Sequence, residues 1–188
     1  MNFTETAIPG VWIIEPKLFT DGRGYFMEHY KEAEFEKHIG KVHFIQENES
    51  SSKKGVLRGL HYQLDPYSQA KLVRVIKGSV LDIAVDIRQG SPTYGLYVSV
   101  ELSEENKRQL FIPKGFAHGF KVLSDEAIFT YKVDNLYMPE YEAAIRFDDP
   151  IIEIDWGTLN TNEFILSEKD KTAPFLEEAK NNYLFNCE

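Results

Sequence analysis

The stretch Leu81-Asp82-Ile83-Ala84-Val85-Asp86-Ile87-Arg88 decides how this chain folds. In an extended backbone, successive side chains point to opposite faces. Leu81, Ile83, Val85 and Ile87 therefore share one face, and Asp82, Asp86 and Arg88 share the other. That period of two is a strand, and Arg88-Gln-Gly-Ser-Pro92 after it is a turn. The pattern returns at Leu96, Val98, Val100 and Leu102, opposed by Tyr97, Ser99 and Glu101, and again at Ala127, Phe129, Tyr131 and Val133. Short alternating segments punctuated by Gly and Pro predict a mainly β chain, an antiparallel double-sheet jelly roll. Helical patterns are few and belong at the periphery. Lys31 to Ile39 pairs Phe35 with Ile39 and stops at Gly40, and Thr172 to Lys180 is a second short candidate with Pro174 in its first turn.

Composition bounds the rest. A length of 188 residues predicts one domain, residues 1–188, able to bury a core without staples. A net charge of −9 argues against a broad nucleic-acid surface, which needs a basic face, but leaves room for one small anion held by a few Arg and Lys side chains. The start of the chain has neither a basic region nor an apolar stretch, so no signal peptide is expected. No apolar run approaches membrane-spanning length. The single cysteine, Cys187, leaves no internal disulfide and no cysteine-based metal site, which suits a reducing cytoplasm.

Gly55-Val-Leu-Arg-Gly-Leu-His-Tyr-Gln63 is a further strand pattern. Alternation puts Gly59, His61 and Gln63 on one face and Arg58, Leu60 and Tyr62 on the other. A histidine and a glutamine pointing the same way, beside a glycine that leaves room, read as one wall of a polar pocket. Imidazole titrates in the neutral range, which makes His61 the first candidate for a general base. In most proteins, though, a lone strand histidine only makes structural hydrogen bonds. Eight residues on, a basic strand opens at Lys71 (Lys71-Leu-Val-Arg-Val-Ile76).

Phe111-Ile-Pro-Lys-Gly-Phe-Ala-His-Gly-Phe120 reads as a hairpin corner with a buried histidine, His118. It also resembles the second motif of cupin barrels, in which that histidine often binds a metal. The usual first motif, a His-x-His pair followed by Glu, has no counterpart: Gln63 stands where the second histidine would be. No metal is expected. Tyr131 lies on the Phe129 face, which should point into the barrel, and a phenol is protonated at neutral pH and can deliver a proton. Tyr137, six residues on, reads by itself as a rim tyrosine. Ser167 and Asp170 have the S-x-x-D spacing of a helix capping box, while the same carboxylate could orient a histidine. The spacing leaves both roles open.

Taken together, these segments resemble the dTDP-4-dehydrorhamnose 3,5-epimerase family of cupin-like jelly rolls. The matching stretches run in order from Asp21-Gly-Arg-Gly-Tyr-Phe26 and Phe44-Ile-Gln-Glu-Asn-Glu-Ser50 through the segments above to Asp148-Asp-Pro150 and Leu166-Ser-Glu-Lys-Asp170. The resemblance implies that His61 is the base and Asp170 the carboxylate that orients it. It makes Lys71 the donor to the oxyanion and Tyr131 the acid on the opposite face. It also implies that Tyr137 stacks on a thymine and that Gln46, Asn48, Arg58 and His118 line a sugar and phosphate pocket. Phe19, Arg23 and Glu28 would reach into a partner subunit's site, implying a homodimer. The implied substrate is a dTDP-sugar with a ketone at C4, and the implied reaction needs no cofactor. Three rivals stand beside this reading: an epimerase that inverts one centre only, a metal-dependent cupin, and a non-catalytic sugar-binding jelly roll.

Overall fold

The computed structural model describes residues 1–157 and 164–185; Cys187, the lone cysteine, lies outside them. The chain runs β1 (Asn2–Glu5), β2 (Trp12–Glu15), β3 (Leu18–Asp21), β4 (Gly24–Met27), α1 (Glu32–His38), β5 (Gln46–Lys53), β6 (Leu57–Gln63), β7 (Lys71–Lys77) and β8 (Ser79–Asp86). It continues through β9 (Tyr97–Ser103), β10 (Gln109–Ile112), β11 (Phe116–Val122), β12 (Glu126–Val133), a 3-10 turn (Pro139–Tyr141), β13 (Glu142–Ala144) and α2 (Glu168–Lys171). Two antiparallel sheets result, β1-β2-β10-β7-β12-β5 and β13-β6-β11-β8-β9, while β3 and β4 form a separate hairpin. This is the double-sheet jelly roll expected from the alternating segments.

The sheets pack face to face. Val73, Val75, Leu110, Ile112 and Phe129 of the first meet Val98, Val100, Leu102, Phe120 and Val122 of the second in one buried cluster. A further layer covers each outer face. Helix α1 lays Phe35 over Ile14, Leu72 and Phe111. Its acidic first turn (Glu32, Glu34) and basic last turn (Lys37, His38) complement the helix dipole, and Gly40, at φ +105°, follows its end. On the other side, Ile145, Phe147, Ile152, Trp156 and Leu176 cover Leu57, Leu60, Ile83 and Val85.

That second covering layer reverses the obvious orientation of β8. Its apolar stripe faces outward, against the segment after β13, and its polar face looks into the barrel, where Asp82 is fully buried.

One expected helix is absent. Residues 172–180 form only an isolated turn, in which Ala179 N–H donates to Phe175 O at 2.9 Å. Tertiary partners take the backbone groups that a helix would use. Pro174 O accepts from Arg146 N–H at 2.9 Å, Leu176 N–H donates to the buried Asp149 carboxylate at 2.7 Å, and Lys180 O accepts from the Tyr62 hydroxyl at 2.6 Å. These contacts bury Ala173 and Leu176, and that outweighs local helix preference.

Candidate functional site

The cleft opens between the two sheets. From the five-stranded sheet come His61, paired across β6 and β11 with His118, and Glu142 at the start of β13. From the six-stranded sheet come Lys71 and Tyr131 on the neighbouring strands β7 and β12. His61, Lys71 and Tyr131 thus surround one space.

Arg58 joins them, against the simple alternation that put it on the far face. Strand β6 has one residue more than β11 between the pairs His61–His118 and Arg58–Phe120. That β-bulge resets the pleat, so Arg58 and His61 both line the cleft while Leu57, Leu60 and Tyr62 pack outward. Gly59 makes it possible: its φ is +119°, and a Cβ there would stand 2.5 Å from Gly119 Cα. Its positive φ is invisible in the sequence.

His61 is about one-third exposed, and its Nε2 lies 2.5 Å from Oδ1 of the buried Asp170. That leaves Nδ1 as its other ring nitrogen. Burial pushes the Asp170 carboxyl up, but hydrogen bonds from His61 and Ser167 outweigh it and hold the group below the usual range.

Lys71 is buried, with Nζ 3.5 Å from the His61 carbonyl oxygen. Burial lowers its pKa to about 8 against the opposing pull of Asp82 and Glu142. Tyr131 is shifted the other way: burial raises its phenol, while the neighbouring Asn48 and Arg58 work against the shift. A buried carboxylate supports His118, whose Nε2 lies 3.0 Å from Asp82 Oδ2. Burial lowers the His118 pKa and raises that of Asp82.

Tyr137 sits at the mouth, half exposed, and its hydroxyl donates to Glu142 Oε2 at 2.9 Å. Lys169 pairs with the other oxygen of Glu142. Gln46 and Asn48 lie on the β5 face that borders the cleft, Asn48 opposite Tyr131, with Gln46 Nε2 donating to Asn48 Oδ1 at 2.9 Å. Phe19, Arg23 and Glu28 are not brought to this chain's own cleft. Phe19 and Arg23 belong to the β3–β4 hairpin and Glu28 follows it; the Arg23 side chain is 91% exposed and pairs with Asp21 of the same hairpin. Sequence reading missed Asp82 and Glu142. Asp82 was visible only as part of the polar side of its strand, with nothing to say which side faces the interior, and Glu142 carried no signal at all.

Among the described residues, no group of three or more His, Cys, Asp or Glu side chains is arranged to hold a metal ion, and no helix is long and apolar enough to cross a membrane.

Comparison with known proteins identifies the family. The family model described as dTDP-4-dehydrorhamnose 3,5-epimerase matches residues 5–178. The protein of that name from Shigella flexneri is 57% identical over 171 residues, 90% of this chain and 93% of the relative. The one from Methanothermobacter thermautotrophicus is 52% identical over 177 residues, 94% and 95% of the two chains. Among solved structures, a dTDP-6-deoxy-D-glucose-3,5-epimerase from Legionella pneumophila in complex with dTDP-4-keto-L-rhamnose superimposes with a TM-score of 0.90 at 50% identity, covering 94% of this chain and 93% of that one. The chain belongs to the dTDP-4-dehydrorhamnose 3,5-epimerase family.

Proposed function

We propose that this chain, acting as one cupin-like domain over residues 1–188, epimerises a dTDP-4-keto-6-deoxyhexose at C3 and C5. It converts dTDP-4-dehydro-6-deoxy-D-glucose to dTDP-4-dehydro-L-rhamnose, a step of dTDP-L-rhamnose biosynthesis. The observation that carries this reading is the convergence of a carboxylate-backed imidazole from one sheet with an ammonium and a phenol from the other around one cleft.

The chemistry suits those groups. Hydrogens at C3 and C5 are α to the C4 ketone, so removing either gives an enolate that can be reprotonated from the other side. An α-carbonyl C–H has a pKa of roughly 20 against about 6.5 for free imidazole, a gap on the order of 18 kcal/mol. In the proposed mechanism His61 takes the proton and Asp170 stabilises the imidazolium that forms. Lys71, a buried cation, meets the charge that develops on O4, where one well-aimed donor contributes roughly 3–4 kcal/mol. Tyr131 returns a proton from the facing sheet. Arg58 and His118 hold the sugar and phosphates, with Gln46 and Asn48 beside them, and Tyr137 stacks on the thymine.

The working unit in this reading is a homodimer. The hairpin exposes Phe19 by 53%, Tyr25 by 54% and Phe26 by 69%, an apolar arm that the described residues of its own chain cover only in part. It supports an arrangement in which Phe19, Arg23 and Glu28 enter the partner's cleft.

The test is incubation with the 4-keto sugar nucleotide in D₂O, read by proton NMR. Deuterium at both C3 and C5 is expected, and none with His61→Ala. Label at one centre only would make this a single-centre epimerase, and exchange at the wild-type rate in His61→Ala would remove His61 from the mechanism.

A further inference from the structure

Gln63 lines the cleft yet keeps none of its amide hydrogens for a ligand. Its buried Nε2 donates to Tyr67 O at 2.6 Å and to Leu136 O at 3.0 Å, and its Oε1 accepts from Met138 N–H at 2.7 Å. Leu136 O and Met138 N belong to the two peptide planes that meet at Tyr137. One side-chain amide therefore fixes the backbone on both sides of the tyrosine.

Among the described residues, no other side chain bonds the backbone on both sides of Tyr137. Residues 134–138 lie between the end of β12 and the 3-10 turn, outside either ladder. They are tied instead to the 64–70 loop, where Asn135 Nδ2 donates to Pro66 O at 2.9 Å and Gln69 Nε2 donates to Asn135 O at 2.8 Å. Gln63 closes β6, so it transmits the position of a ladder strand to both loops at once. The Tyr137 ring is half exposed, and its hydroxyl donates to Glu142, so its direction depends on that backbone together with that hydrogen bond.

We propose that Gln63 is the positioning residue for Tyr137, presetting the aromatic platform on which the nucleotide base lies. This deepens the reading of Tyr137 as the thymine-stacking residue and rests on it. An aromatic held in place before binding loses less freedom on binding, so Gln63 acts on affinity for the base and not on proton transfer.

The probes are dTDP and inorganic pyrophosphate, each measured by calorimetry on the full-length enzyme and as inhibitors of turnover. Gln63→Met keeps the length of the side chain and removes all three hydrogen bonds. It is expected to weaken dTDP about tenfold and raise KM similarly, with kcat changed less than threefold and pyrophosphate affinity unchanged. Unchanged dTDP affinity, or equal weakening of both probes, overturns the proposal, because a general loss of structure would affect the phosphates as well. Adding Gln63→Met to Tyr137→Ala should weaken dTDP no further; additive losses overturn it. If Tyr137→Ala alone leaves dTDP affinity intact, the stacking reading itself falls, which is a separate result. Should Gln63→Met fail to fold, Gln63→Asn, an amide too short to span the three partners, is expected to give the same pattern, and dTDP binding at the wild-type level in that variant also overturns the proposal.

Discussion

His61 Nε2 and Asp170 Oδ1 lie 2.5 Å apart, while Oδ2 of the same carboxylate accepts from Ser167 Oγ at 2.7 Å. Ser167 is also the N-cap of α2 and accepts from Asp170 N–H at 3.1 Å. The two roles the sequence left open for Asp170 are therefore one arrangement. The capping box fixes the carboxylate on a short helix, and the fixed carboxylate holds the imidazole.

Asp170→Asn keeps the shape and removes the charge. In the proposed mechanism kcat falls roughly 10²–10⁴-fold, as when a carboxylate behind a catalytic histidine becomes an amide. KM changes little, since the cleft is lined by His61 and not by Asp170. Stability carries a second signature. The folded-state pKa of Asp170 is lowered, so its stabilisation is present above the unfolded value of about 4 and is lost as pH falls through the folded one. Urea midpoints of wild type and variant should converge on acidification, and a gap that widens toward low pH would contradict the assignment.

Ser167→Ala removes the cap and one of the two anchors of that carboxylate. Its effect on stability is about 1 kcal/mol. Because the Asp170–His61 pair loses orientation, kcat should fall too, by more than the lost stability explains in enzyme that is still fully folded. Wild-type turnover in a folded Ser167→Ala enzyme would separate capping from catalysis.

Lys71 gives a pH dependence with a defined sign. Its pKa of about 8 makes it the group whose charge is lost as pH rises, so kcat/KM should fall on the alkaline side with a midpoint near that value. Asp82 raises the Lys71 pKa, so Asp82→Asn moves the alkaline limb toward lower pH. Below about 8 the buried ammonium is charged in both folded and unfolded states, and the fold bears its full desolvation. Between about 8 and 10.5 only the unfolded chain keeps the proton, so stability rises with pH there. Lys71→Met should therefore be the more stable protein at pH 7, by about 1–3 kcal/mol, and nearly inactive. Thermal melts at pH 7 and pH 10 check both halves.

Subunit mixing tests the shared site. In the proposed homodimer, a His61→Ala chain and an Arg23→Ala chain each lack one half of the machinery. A mixed dimer contains one cleft with both halves intact, so equal mixing after dissociation should restore activity to roughly a quarter of wild type, half the dimers being mixed and each having one sound cleft. No recovery in a mixture proven to exchange subunits would place Arg23 outside the partner's cleft.

Most of the fold was legible because period-two alternation survives wherever one face of a strand is apolar, as at Val98, Val100 and Leu102 or at Ala127, Phe129 and Tyr131. Orientation was less legible. In β8 both faces are buried, one against the opposite sheet and one against the segment after β13, so hydrophobicity could not show that the Asp82 side is the interior. The 172–180 segment failed for a related reason: local pattern carries no information about the Asp149 carboxylate that takes the Leu176 N–H. Within the site, His61 and Tyr131 were legible from residue type and strand phase, whereas Lys71 and His118 were assigned by resemblance. Arg58 was assigned by resemblance to a pocket from which strand phase excluded it.

Gly59 resolves that conflict and gives the last test. A side chain at 59 would have to adopt φ +119° with its Cβ 2.5 Å from Gly119 Cα and 2.7 Å from His118 O, both backbone atoms that cannot swing aside. Gly59→Ala should destabilise by at least about 2–3 kcal/mol, from backbone strain plus displacement of β11. The greater effect is on register. If the bulge relaxes to a regular pleat, Arg58 and His61 come to face opposite sides, and the cleft loses either the imidazole or the guanidinium. Gly59→Ala that still folds below its melting midpoint is therefore expected to lose activity by more than a hundredfold, whereas Gly90→Ala, at a glycine with open space around its Cβ position, carries backbone strain alone and keeps most of its turnover. Equal activities in the two variants would show that the bulge has no part in building the cleft.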